Sequence, residues 1–200
     1  MEFLLDYESR YWKDINAKIK NEYGTAGLMG NLQAESGLIP YRKQNDNTPP
    51  YVASQTYTNN VDDGKYTESQ FVNDSIGYGL AQWTFSSRKQ QLYDFKSEMG
   101  VSIGSYELSL KMLFWELEGG YKDTLEALSN AKSVRAASDY VLHNFEQPAD
   151  QSEQVEVYRA SLGTAIYEKY SGSDPTDPEP PKPSGKNKGM PLWMYFYRRY

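Results

Sequence analysis

Leu5, Trp12, Ile15 and Ile19, with Lys and Asp between them, repeat at helical spacing and predict an amphipathic helix with one stripe turned inward. Leu28, Met29 and Leu32 carry the period through a second helix from Thr25 to Ser36, where Gly37 and then Pro40 supply a stop. Glu35 therefore falls at a helix C-terminus. Between residues 40 and 76 the pattern changes, because Pro49-Pro50, Asn59-Asn60 and Asp63-Gly64 punctuate short runs bearing Tyr, Thr and Val. That punctuation predicts hairpins and loops, with a small β region around Val52 to Tyr57 and Tyr66 to Val72. The helical period returns with Leu92, Phe95 and Met99, then Leu110, Leu113 and Leu117, then Leu125 and Leu128. Val134, Ala137, Val141 and Phe145 extend it, and Tyr158, Leu162 and Ile166 close it. The expected class is α+β, predominantly helical, with a small β-hairpin region and no solenoid-like repeat.

From Ser171 to Gly189 the composition shifts to Pro, Gly, Ser, Asp and Lys, which leaves nothing to bury. The chain thus divides into a domain over 1–170, a Pro-rich linker over 171–189 and an aromatic, basic tail over 190–200. Cys is absent and His occurs once, which excludes a disulfide framework and leaves a zinc cluster short of ligands. No metal or other cofactor is implied. The net charge of −6 is unevenly spread: after residue 170, five Lys and Arg against three Asp and Glu give +2, leaving −8 for the first 170 residues. An acidic domain lacks the basic face of a nucleic-acid binder. The segment Met1 to Asp6 has no basic n-region or long apolar h-region, and no run approaches the roughly 20 apolar residues that span a bilayer. Aromatic residues make up 14% of the chain, with 18 Tyr, and such rings offer flat faces to sugars as well as core volume.

Two segments carry candidate chemistry. In Gly30-Asn31-Leu32-Gln33-Ala34-Glu35-Ser36-Gly37-Leu38 a carboxylate ends an apolar helix beside a Gly turn. Apolar burial and the negative end of the helix dipole both disfavour the ionised form, which suits Glu35 to donate a proton, as a glycosidase requires for its leaving group. An exposed helix-end Glu is the plainer reading of that segment alone. In Val72-Asn73-Asp74-Ser75-Ile76-Gly77-Tyr78-Gly79-Leu80-Ala81-Gln82-Trp83-Thr84, two glycines bracket a Tyr and a Gln precedes a Trp. The glycines permit close backbone approach, and Gln82 can present an amide to a sugar or its acetamido group. Trp83, Tyr78 and Tyr57 suit sugar stacking and core packing alike.

Taken together and in order, Gly30 to Leu38, Val61-Asp62-Asp63-Gly64-Lys65-Tyr66 and Phe71 to Arg88 resemble the phage tail-type lysozyme family. The likeness continues through Ser102-Ile103-Gly104 and Asn144-Phe145-Glu146-Gln147-Pro148, covering roughly residues 10 to 170. More distantly the chain is similar to the goose-type lysozyme and lytic transglycosylase superfamily, where a Glu-Ser pair precedes a Gly-Leu-X-Gln turn, here Glu35-Ser36 and Gly79-Leu80-Ala81-Gln82. The resemblance implies a lysozyme-like fold in which helices flank a small hairpin and a cleft holds the glycan. It implies Glu35 as general acid and Gln82 in the cleft; Tyr78, Trp83, Thr84 and Tyr57 are further candidate substrate-binding positions read from the residues themselves. It leaves the second carboxylate between Asp74 and Asp62, either of which would activate water or stabilise an oxocarbenium-like transition state. A further Asp of goose-type enzymes, just after the Gln, is Thr84 here, and Thr84 cannot serve as a base.

The implied activity is hydrolysis of the β-1,4 bond between N-acetylmuramic acid and N-acetylglucosamine in peptidoglycan. Attack by the muramic acid hydroxyl, giving an anhydro product, is the transglycosylase alternative, and a non-catalytic wall-binding or structural module is the alternative from a different class. The family context implies synthesis in the bacterial cytoplasm without a classical signal peptide, and action on the wall as an endolysin or a particle-associated lysozyme. His143 is expected to be structural or exposed, and Glu146 and Pro148 are read as scaffold at a helix end. The tail Met190 to Tyr200 places Trp, Tyr and Phe beside Arg, which suits a membrane headgroup region or a groove on another protein, or else a chain end that folds back.

Overall fold

In a computed structural model that describes residues 2–171, with side chains from Tyr7 onward, the hydrophobic period becomes α1 (Glu2–Ile19) and α2 (Glu22–Ser36), then α3 (Val52–Asp62) and α4 (Glu68–Asn73). Four more helices follow, α5 (Ser86–Met99), α6 (Tyr106–Glu118), α7 (Lys122–Ser129) and α8 (Val134–Val141). A π-helical turn over Leu142–Glu146 extends α8, and α9 (Glu153–Tyr170) closes the described chain. Among these residues no helix is long and apolar enough to cross a membrane. The linker and tail read from the sequence lie outside the described residues, Ser171 excepted.

Helix α2 is central because small side chains let its neighbours come close. It is buried from Gly24 to Leu32 and packs against α1, α7, α8 and α9. A Cβ on Gly30 would stand 2.6 Å from the Arg159 carbonyl oxygen and from the Gly163 amide nitrogen, so only glycine permits this crossing of α2 and α9. Asn21 fixes the start of α2: its side chain accepts from the Gly24 amide at 3.1 Å while its own amide donates to the carbonyls of Ser129 and Ala131. A cap of this kind is typically worth about 1 kcal/mol. The core around it holds Tyr11, Ile15, Met29, Phe71, Trp83, Leu113, Val141 and Phe145, all essentially sealed from solvent.

The small β region is not formed. Val52 to Tyr57 lies in α3, and most of Tyr66 to Val72 lies in α4; extended pairing among the described residues is limited to single bridges, Lys43 with Tyr78 and Tyr78 with Trp83. The reason is visible in α3, whose buried positions are Ser54, Tyr57, Thr58 and Val61, a helical period with polar residues at two of its four inward places. Those hydroxyls are satisfied locally. Ser54 Oγ donates to Asp46 at 2.7 Å, and Thr58 Oγ1 bonds the Ser54 carbonyl and the Tyr78 hydroxyl at 2.9 and 2.6 Å. Helix α4 starts on a capping box in which Thr67 accepts from the Gln70 amide and the Gln70 side chain accepts from the Thr67 amide.

Candidate active site

Glu35 sits in the last turn of α2, which ends because Gly37 adopts a left-handed conformation at φ 67° and donates its amide to the Gln33 carbonyl. The Glu35 side chain is 20% exposed and is ion-paired with the guanidinium of Arg159, itself 9% exposed, on α9. Arg159 also donates to Asn31 Oδ1 at 3.2 Å, and Asn31 is held in turn by Gly27 and by the carbonyl and hydroxyl of Ser138 on α8. Three helices thereby fix the cation that faces the acid. The close crossing at Gly30 and Gly163 brings Arg159, one turn before Gly163, into reach of Glu35.

A second carboxyl lies in the same cluster. Glu146 ends the π-helical turn, and the chain leaves it through Gln147 at φ 47°. Its Oε1 is buried with no hydrogen-bond partner. Burial foremost, and then the negative charges of Glu35 and Glu116, push its carboxyl well above the usual carboxylate range, against the opposing pull of Arg159 and Arg88. Arg88 is already engaged, since it grips Glu116 with two bonds at 2.5 and 2.7 Å, and Glu116 Oε2 also accepts from the Trp83 indole at 2.9 Å. Glu146 stands at a helix end, where the sequence reading put it, and the negative charge of Glu35 bears on it. The available clue was a carboxylate immediately after the inward-facing Val141 and Phe145.

Asp74 is placed differently. Its side chain is 7% exposed and takes the ammonium of the fully buried Lys89 on one oxygen. It also accepts the Ile76 amide at 2.8 Å and the hydroxyls of Tyr57 and Tyr66 at 2.5 and 3.3 Å. Burial lowers the Lys89 pKa while Asp74 supports its charge, and burial with the Asp74 bond raises that of Tyr57. Asp62, at the end of α3, accepts from Ser102 Oγ at 2.5 Å and the Ile103 amide at 2.8 Å, with Lys96 at 3.9 Å. It borders an open hollow of about 440 Å³ with Lys96, Gly100 and Ser102, and a smaller hollow of about 310 Å³ lies between Tyr41 and Gly104. Neither hollow is lined by Glu35.

The turn after Asp74 is docked on the loop that follows α2. Gly79 donates to the Arg42 carbonyl, Gln44 donates to the Gly77 carbonyl, and Tyr78 and Trp83 exchange backbone bonds across the loop. Gly79 has φ 80°, and a Cβ there would stand 2.8 Å from the Trp83 ring, so glycine is needed twice over. Gln82 turns its amide nitrogen inward to the carbonyls of Arg42 and Gly79, and Thr84 Oγ1 bonds the Gln82 carbonyl. Tyr78 and Trp83 are fully buried and Tyr57 is 9% exposed. In this structure the rings of Tyr78 and Trp83 are closed to a sugar, and they build the platform under the turn. The neighbouring Phe85, 72% exposed, is the ring that the sequence reading passed over.

With Glu35, its arginine and the glycine turn in place, the decisive comparison is a sequence match to the phage tail lysozyme family across residues 10–170. The chain belongs to that family. Phage tail lysozymes are cell-wall-degrading enzymes of hydrolase or lyase type, so peptidoglycan is the substrate. The matched span contains Glu35, Asp62, Asp74, Gln82 and Glu146 alike, and it ends at the last residue of α9. The described residues are predominantly helical, which is consistent with a lysozyme-like fold, with helices and a docked turn where a hairpin was expected.

Proposed function

We propose that the protein is an N-acetylmuramidase that hydrolyses the β-1,4 bond between N-acetylmuramic acid and N-acetylglucosamine, with Glu35 as general acid. The observation that carries this reading is the Glu35 carboxyl itself, partly exposed at the left-handed end of α2 and paired with the nearly buried guanidinium of Arg159. Protonated Glu35 gives its proton to the glycosidic oxygen as the bond breaks, and the carboxylate left behind then accepts a proton from the incoming nucleophile. Gln82 and Thr84, both partly exposed on the docked turn, are proposed glycan contacts. Because the Gln82 amide nitrogen is committed to backbone carbonyls, the group it offers a sugar is Oε1, an acceptor.

A second reading, lytic transglycosylation, is favoured by one observation. Asp74 and Asp62 both already hold several donors, so neither is a ready base for water, and the muramic acid hydroxyl becomes a competing nucleophile. Mass spectrometry of muropeptides released from Gram-positive walls separates the readings. Reducing-end muramic acid is the expected product, lost with Glu35→Gln; a predominance of 1,6-anhydro ends would replace hydrolysis by transglycosylation. Undiminished release by Glu35→Gln would remove Glu35 from the mechanism.

A further inference from the structure

Asn31 and Arg159 are polar side chains buried in the helical packing beside Glu35, and the mechanism above gives neither a task. Asn31 lies four residues before Glu35 on α2, so the two share one face of the helix. Its amide nitrogen donates to the carbonyls of Gly27 and Ser138 at 3.0 and 3.1 Å. Carbonyls only accept, so the amide is fixed with its oxygen turned the other way. That oxygen accepts from one terminal nitrogen of Arg159 at 3.2 Å, and the other terminal nitrogen donates to Glu35 Oε1. The planar fork of the guanidinium thus spans two positions of α2, which the point charge of a lysine could not do. Among the described residues Glu35 Oε2 accepts no hydrogen bond.

We propose that Arg159 and Asn31 are positioning residues for the acid, which hold Glu35 by Oε1 and leave Oε2 to carry the proton to the glycosidic oxygen. This rests on Glu35 being the acid. A protonated carboxyl keeps one oxygen as a pure acceptor, so the bond from Arg159 to Oε1 survives whether or not Oε2 carries the proton. The side chain therefore need not turn between giving a proton and taking one back. As the proton leaves, negative charge develops on the carboxyl and meets a cation already in place, so nothing reorganises at that moment. Asn31 acts one step further back. It sets the fork and the fork sets the carboxyl, while Ser138 on α8 ties Asn31 to a third helix. The close crossing of α2 and α9 at Gly30 and Gly163 makes the reach short enough.

Two measurements test these roles. In the first, kcat and KM on solubilised glycan strands are compared for the wild type, Arg159→Ala, Arg159→Lys and Asn31→Leu. Arg159→Ala is expected to lower kcat by about 10²-fold, the usual cost of a misplaced reacting group, with KM changed far less. Guanidinium ion added at millimolar concentration should restore part of that loss. Arg159→Lys, which has the charge but not the fork, should fall between Ala and the wild type, and Asn31→Leu should lower kcat in the same direction by less. A merely structural role does not respond to guanidinium, so activity that stays lost, or a KM that rises in step with the loss, would overturn the proposal. The second measurement needs neither a variant nor turnover. Nitrogen-15 NMR of the wild-type arginine side chains should show the terminal nitrogens of Arg159 as separate signals, because bonds to Asn31 and Glu35 hinder rotation. One averaged signal would mean that no fork is held. The two readings fail separately: an active Glu35→Gln removes the acid assignment, whereas an inactive Glu35→Gln beside a fully active Arg159→Ala removes this proposal alone.

Discussion

Asp74 and Glu146 are both carboxyls withdrawn from solvent among basic side chains, yet their surroundings suit opposite purposes. Asp74 is saturated: an ammonium, a backbone amide and two phenols converge on its two oxygens. Glu146 has an oxygen that no donor reaches, and its nearest charges pull in both directions. A carboxylate that accepts three or four hydrogen bonds is held in one orientation by its donors and suits a structural anchor. One that is buried without donors is pushed toward its neutral form by desolvation. The count of donors separates the two regions where burial alone does not.

The largest effect expected from breaking this contrast is on the reaction. Glu35→Gln keeps the shape of the side chain but removes its proton, and general acid catalysis is typically worth about 10² to 10⁴ in rate. Wall-lysis assays should show that loss with an unchanged circular dichroism spectrum. In the anchor region the loss should fall on stability instead. Asp74→Asn leaves the Lys89 ammonium buried without its counter-charge, a change that typically costs about 3 to 5 kcal/mol. Urea unfolding should record it, partly relieved at alkaline pH, where burial helps Lys89 give up its proton.

A smaller effect is expected at the crossing that joins Arg159 to Glu35. Gly30→Ala forces the α2 and α9 backbones apart, and overpacking of this kind costs about 1 to 3 kcal/mol. It should also lower activity, because the cation moves with α9. The smallest effect is a slope. Glu146 has its folded-state pKa raised, so its contribution to stability is fully present below the unfolded value of about 4.3 and is lost as pH rises through the folded value. Within that window each pH unit is worth at most about 1.4 kcal/mol. Unfolding of Glu146→Gln followed from pH 4 upward should lack the slope that the wild type shows, and identical slopes would mean that Glu146 ionises as readily folded as unfolded.

The helices were legible wherever their inward stripes are apolar, as in α1, α2 and α5 to α9. Helix α3 was not, because Ser54 and Thr58 occupy its inward stripe and Pro49-Pro50 and Asp63-Gly64 flank it like hairpin punctuation. Glu35 could be singled out locally, from a helix end, a Gly and a Pro. Its partners could not, since Arg159 lies 124 positions away and meets it only through the glycine crossing. Asp74 and Asp62 were both candidates for the second carboxylate, and the donors that converge on Asp74, with Lys89 among them, were not legible from its own segment. That lysine falls three residues before Leu92, in register with the apolar stripe of α5, and a charge so placed is a usable sign of a buried partner.

The separation of Glu35 from Arg159 has a bearing on how the protein is made. Helix α2 leaves the ribosome before α9, so until α9 is made Glu35 exists without the cation that faces it and without one wall of the core. Domains generally fold as units, and a nascent chain that stops short of residue 153 has no site to mature. Products that stop before α9 are therefore expected to lack the Glu35–Arg159 pair and the lytic activity proposed to depend on Glu35.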